Sequence, residues 1–223
     1  MMAEGGGHGY STAREVTVDP SLPLLLTYPA REYAAMRQTA QAHLATAKEA
    51  EAVAAVANCA GSEQLDMELV YHFEGGGVTA GECIGLSLLG GGAGVVVIFK
   101  SPTVAVLKDC GDGCSCSGPH RPDVSHSGFL FGLKPKETSV ALRVLVDGNA
   151  IEAFAQGGRA QISFPGALHN TTSSLAAASG SATAAGVAGR GNWNTTVGLL
   201  SGSTPGGGTF DVGVWPLAFN TSG

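Results

Sequence analysis

Alternation of apolar and polar positions marks most of this chain as extended. Leu65, Met67, Leu69, Tyr71 and Phe73 fall on one side of a run whose other side carries Asp66, Glu68 and His72. That period of two predicts a half-buried antiparallel strand. Residues 14–19 alternate polar and β-branched side chains, Pro20 and Pro23 punctuate them, and 24–28 follow as a short strand. Further strands are expected at 83–89, 95–99, 103–107, 139–147, 150–155, 159–164, 195–200 and 209–215. The clearest local unit is a hairpin over 139–155 turning at Gly148-Asn149. Its register sets Leu145 opposite Glu152 and Arg143 opposite Phe154. Val140, Leu142, Val144, Val146, Ile151 and Ala153 then share the core face. Arg143 sits diagonal to Glu152 on the other face, within reach for a charge pair.

Residues 30–57 break the pattern. Twelve of them are Ala, interleaved with Arg, Gln, Lys and Glu, a composition of strong helix formers. Tyr33, Met36, Ala40 and Leu44 recur at helical spacing, and Pro29 suits a first helical turn. One N-terminal Ala-rich helix is therefore expected beside many short strands. With glycine clusters at 5–7, 75–77, 90–92 and 206–208 serving as turns, this predicts a β-sandwich or barrel. The organisation expected is a disordered Gly-rich segment over 1–13 and one sandwich domain over 14–219. A Cys-rich loop spans 108–127 and a low-complexity Ser/Ala/Gly insertion spans 173–191.

Composition narrows the function. Hydrophobic residues make up 44% and charged residues 13%, enough apolar material for a buried core. The formal net charge of −6, with 12 Lys and Arg spread thinly, gives no footprint for nucleic acid or an anionic membrane. No apolar run reaches the ~18 residues a membrane span needs. The first residues carry neither a basic nor an apolar leader region, so no signal peptide is expected. Asn170, Asn194 and Asn220 each open an N-x-S/T sequon. Their clustering in the last third leans toward a secreted protein, of which this chain would be a piece.

Candidate chemistry is sparse, and nothing implies a cofactor. Cys110, Cys114 and Cys116, with His120 and His126, hold zinc-ligand chemistry. Yet C-x3-C-x-C is no standard zinc spacing, which favours a surface loop with one disulfide or with free thiols. Asp147 and Glu152 read better as structural residues than as a catalytic pair, since Arg143 lies beside Glu152. His72, on the polar side of its strand, reads as solvated.

The hairpin carries more than a fold signal. Leu145-Val146-Asp147-Gly148-Asn149-Ala150-Ile151-Glu152-Ala153-Phe154, followed by Gly157-Gly158-Arg159, resembles the LVD-x-S-x-(V/I)-E-x-F-x-x-x-G signature of glycoside hydrolase family 32. That family contains the invertases, fructan hydrolases and fructosyltransferases. Four other stretches agree in order. Residues 14–19 resemble the strand that follows the family's catalytic domain. Residues 25–37, with Tyr28-Pro29, Glu32 and Arg37, resemble L-x-x-(W/Y)-P-x-x-E-x-x-x-L-R. Gln64-Leu65-Asp66-Met67-Glu68 resembles Q-(L/A)-D-(I/V)-E, and Val212-Gly213-Val214-Trp215-Pro216 resembles the final V-W-P-M strand.

The resemblance implies a concanavalin-like sandwich of two antiparallel sheets, the family's C-terminal domain, with Asp147, Glu152 and Phe154 as structural motif residues. The family's chemistry resides on a five-bladed propeller through W-M-N-D-P-N-G, R-D-P and E-C motifs. The first two are absent here, and Glu82-Cys83 spells the third inside a sandwich strand, where it reads as coincidence. A retaining glycosidase needs two carboxylates about 5 Å apart, so no catalytic residue is assigned. Two functions are expected. One is a non-catalytic module that supports a propeller or pairs with a second copy of itself. The other is a free-standing lectin-like module binding carbohydrate, which the scarcity of aromatic residues disfavours.

Overall fold

The computed structural model describes residues 12–48, 55–58, 64–74, 77–88, 93–110, 128–134, 137–148, 150–165, 196–202 and 208–218. A ribbon comes first, β1 (Arg14–Val18) with β2 (Leu25–Pro29), and then a single helical turn, α1 (Glu32–Ala35). The strands that follow are β3 (His43–Lys48), β4 (Ala55–Asn58), β5 (Gln64–Phe73), β6 (Cys83–Leu88), β7 (Ala93–Ser101) and β8 (Val104–Cys110). After them come β9 (Phe129–Gly132), β10 (Ser139–Asp147), β11 (Ala150–Ala155), β12 (Ala160–Pro165), β13 (Thr196–Gly202) and β14 (Gly208–Pro216).

They form two six-stranded antiparallel sheets in the orders β12-β11-β10-β5-β14-β3 and β4-β13-β6-β7-β8-β9. The alternating apolar residues of each strand face the other sheet, because a pleated strand presents every second side chain to one side. Met67, Leu69, Leu142, Val144, Ile151, Phe210 and Val214 meet Ile84, Leu86, Val95, Val97, Phe99 and Leu107 in one buried core. Tyr71 stacks on Phe210 with ring centroids 4.7 Å apart, and Phe73 meets Phe99 edge-on at 6.0 Å. The all-β sandwich is thus the observed architecture. The hairpin has the expected register, with Leu145 opposite Glu152, Val146 opposite Ile151 and Asp147 opposite Ala150. Gly148 takes a positive φ of 55° there, as a tight primed turn requires.

The Ala-rich helix is not formed. Residues 30–57 yield one helical turn at Glu32–Ala35, a 3-10 turn at Thr39–Gln41, and then two strands. β3 closes the edge of the first sheet against β14, and β4 the edge of the second against β13. A helix propensity of a few tenths of a kcal/mol per residue yields here to ladder hydrogen bonds that only the assembled sheets supply. Pro29 ends β2 instead of opening a helix, and Leu44 is 71% exposed on β3. β9 was not expected; its apolar run Phe129-Leu130-Phe131 was the available signal.

Candidate functional site

The outer face of the first sheet carries charged residues that are not solvated. Asp66 on β5 is 0% exposed, although it lies on the polar side of its strand. Residues 12–37 cross this face as a strap, and a buried ionic network fastens them. Arg143 Nε and Nη2 donate to the two Asp66 oxygens at 2.9 and 2.7 Å. Arg37 Nε, from the end of the strap, donates to Asp66 Oδ2 at 2.7 Å, and its Nη2 donates to Glu68. The Arg37 guanidinium also lies 3.9 Å from the Trp215 ring centroid. Two arginines and two carboxylates balance in charge, which makes burial of Asp66 tolerable. Burial opposes the charge on Arg143, but its bonds to Asp66 outweigh that and hold its pKa above the ordinary value.

A second fastening lies beside the first. Arg14 Nη2 donates to Glu152 Oε1 at 2.9 Å, and the Thr12 backbone and hydroxyl donate to the same carboxylate. Tyr28 meets Phe154 edge-on at 5.9 Å, and the Arg14 guanidinium carbon sits 5.5 Å from that ring's centroid. Glu152 is therefore not paired with Arg143, as the hairpin alone suggested. Arg143 has diagonal carboxylates on both sides, Glu152 across β11 and Asp66 across β5. Arg14 from the strap takes Glu152, and Arg143 turns to Asp66.

A third fastening ties the ribbon's turn to the far end of the hairpin. Asp19 accepts from Lys134 Nζ at 2.9 Å and lies 3.5 Å from Arg159 Nε, while Arg159 donates to Glu137. The Ser21 backbone N–H, the Lys134 ammonium and the Ser21 hydroxyl hold the Asp19 carboxyl far below the usual carboxylate range. Close by, Gly158 has a φ of +95°, and a Cβ there would stand 2.3 Å from the Thr27 carbonyl oxygen. Only glycine accommodates both the conformation and the approach of the strap.

Among the described residues, Glu82, Asp147 and Glu152 lie in separate settings. Asp147 is exposed and accepts from Gln64 Nε2 at 2.8 Å. Glu82 is buried just before β6 and accepts from the Thr79 hydroxyl, and neither Glu152 nor Asp147 is among its partners. His72 does not stand alone in solvent: its Nε2 lies 2.9 Å from Asp211 Oδ2. Among the described residues no cluster of three or more His, Cys, Asp or Glu could hold a metal ion. Cys114, Cys116, His120, His126, the sequons at Asn170, Asn194 and Asn220, the insertion at 173–191 and most of the segment 1–13 lie outside the described residues.

Cys83 and Cys110 are both disulfide-bonded. β7 lies between their strands, with Cys83 opposite Ile98 and Cys110 opposite Gly94, so at least two strand spacings, about 9.5 Å, separate them. A disulfide spans at most about 7 Å between Cα atoms, so the two belong to separate bridges. Cys110 ends β8 rather than standing in a loop.

The five motif stretches, far apart in sequence, thus meet in one clamp between a strap and a sheet, and this defines an all-β sandwich domain built around structural ion pairs. The chain matches the family model described as glycosyl hydrolases family 32 C terminal over residues 32–188, and it belongs to that family. Among solved structures it is similar to fructan 1-exohydrolase IIa from Cichorium intybus, with a TM-score of 0.57 and 14% identity over 92% of this chain and 40% of that one. Sucrose-6-phosphate hydrolase from Lactobacillus gasseri gives a TM-score of 0.52 and 16% identity over 92% of this chain and 33% of that one. Exo-inulinase from Aspergillus awamori gives 0.50 and 15% over 92% and 34%. The chain therefore spans a third to two fifths of the length of these proteins. A search of curated protein sequences finds no match.

Proposed function

We propose that this chain is the non-catalytic sandwich module of a family 32 β-fructofuranosidase-type protein, and that its role is to support a catalytic propeller outside this sequence. The observation that carries the reading is the clamp. The motif carboxylates Asp66, Glu68, Asp147 and Glu152 are each held by a structural donor rather than set opposite a second carboxylate across a cleft. An acid and a nucleophile placed together supply most of the rate of glycoside hydrolysis. Separate disulfides at Cys83 and Cys110 fit maturation in an oxidising compartment.

The purified chain, incubated with sucrose, is expected to release no fructose beyond a Glu82→Ala control. A family 32 propeller expressed without its own sandwich is expected to co-purify with the chain and to melt at a higher temperature in its presence. Turnover that disappears in Glu82→Ala, or a propeller that ignores the chain, would overturn the proposal.

A further inference from the structure

Beyond the clamp, the outer face of the first sheet carries a groove of about 350 Å³ lined by Leu44, Thr46, Glu68, Val70, Asp211 and Trp215, with Gly213 among its walls. Its origin is legible in the register. On the outer face, Gly213 lies opposite Leu44 of β3 on one side and Glu68 of β5 on the other, with Asp211 and Trp215 before and after it. The missing side chain lets the Trp215 indole pack onto the Gly213 backbone and wall the groove. The Trp215 indole leans over it so closely that a Cβ on Gly213 would stand 2.1 Å from the ring. β3 is an edge strand, so the groove opens sideways to solvent.

The polar groups are preset. Asp211 accepts from the Thr46 hydroxyl at 2.7 Å and sits 2.9 Å from His72 Nε2, contacts that together hold its carboxyl below the ordinary value. Glu68 is anchored by Arg37 on the strap side. Each carboxylate has about four lone-pair sites, so both keep free acceptors. Leu44, Val70 and the indole edge supply the apolar part of the wall.

The geometry points to a neutral sugar, a mono- or disaccharide, as the ligand of this groove. The Asp211 carboxylate repels anions. A cation finds Glu68 already compensated by Arg37. A polyhydroxylated ring offers hydroxyl donors to Asp211, Glu68 and the Thr46 hydroxyl oxygen, and lays its C–H face on Leu44 and Val70. Arg37 covers the face of Trp215, so the ring meets the indole edge. The volume is at the small end of the ~300–1,000 Å³ of ligand sites, so the titration is set for weak binding, with a Kd up to about 10 mM.

The test uses the full chain with Trp193→Phe, which leaves Trp215 as the single tryptophan of the two. Its fluorescence is followed while sucrose is added, with spermidine as a cationic probe in parallel. Saturation by sucrose is expected, with affinity lowered about tenfold by Asp211→Asn or Thr46→Val. Both positions are exposed, so melting curves will show whether the variants are folded. An unsaturated, linear response up to about 100 mM sucrose, unchanged affinity in both folded variants, or saturation by spermidine alone would overturn the assignment. None of these outcomes bears on whether the chain docks to a propeller.

Discussion

Replacing Arg143 with Met removes the donor pair that Asp66 depends on. The methionine chain keeps most of the aliphatic volume, so the change is chiefly electrostatic. Asp66 Oδ1 accepts only from Arg143 Nε among the described hydrogen bonds, whereas Oδ2 retains Arg37. The variant therefore leaves one oxygen of a fully buried carboxylate without a donor. Breaking a buried pair by removing one partner costs about 3–5 kcal/mol. Because Arg37 still compensates part of the charge, the lower end, about 3 kcal/mol, is expected. Removing both partners, as Asp66→Leu with Arg143→Met, should cost less than the sum of the singles by about 1–3 kcal/mol, because neither charge is then orphaned. Urea unfolding at neutral pH, followed by circular dichroism on all four proteins, gives the cycle. A single Arg143→Met loss below about 1 kcal/mol with an unchanged m-value, or additive effects, would mean that water reaches Asp66 and that the strap does not seal it.

Gly158→Ala should cost more than about 1 kcal/mol, because φ is +95° and the Thr27 carbonyl blocks the new Cβ; a neutral effect on the thermal midpoint would refute the close approach of the strap. Asp19 and Asp211 both have lowered carboxyl pKa values, and Glu137 does too, burial raising it but the Arg159 guanidinium and Lys134 N–H lowering it more. Groups with folded values below unfolded ones contribute stability above about pH 4 that is lost as pH falls further. Urea midpoints should therefore hold from neutral pH to about 5, then fall, and Asp19→Asn should fall less steeply; parallel curves would refute the role of Asp19. With five cysteines and two separate bridges, iodoacetamide under denaturing, non-reducing conditions should label one cysteine, and five after reduction. Three labels without reductant would mean a single bridge.

The alternation in β5 and the Gly148 turn in β10–β11 are local properties. A strand's period of two and a primed turn's need for positive φ act within a few residues, so the sandwich class, the hairpin register and the burial of Val140, Leu142, Val144, Val146 and Ile151 could be read from the sequence. The family motifs were equally legible as strings. Their meaning was not, because Arg14, Tyr28, Arg37, Asp66, Glu152 and Phe154 become one clamp only when the strap lies across the sheet. The same non-local contact buries Asp66, whose alternating position alone argued for solvent. It also decides the partner of Arg143, which has one diagonal carboxylate visible within its hairpin and another contributed by β5, some 77 residues away in sequence. The Ala-rich stretch marks the opposite limit. Its local preference is helical, but β14 and β13 offer open edges with unsatisfied backbone groups, and pairing with those edges overrides a weak propensity. Tertiary structure decided wherever a residue's state depended on a neighbour brought from a distant strand.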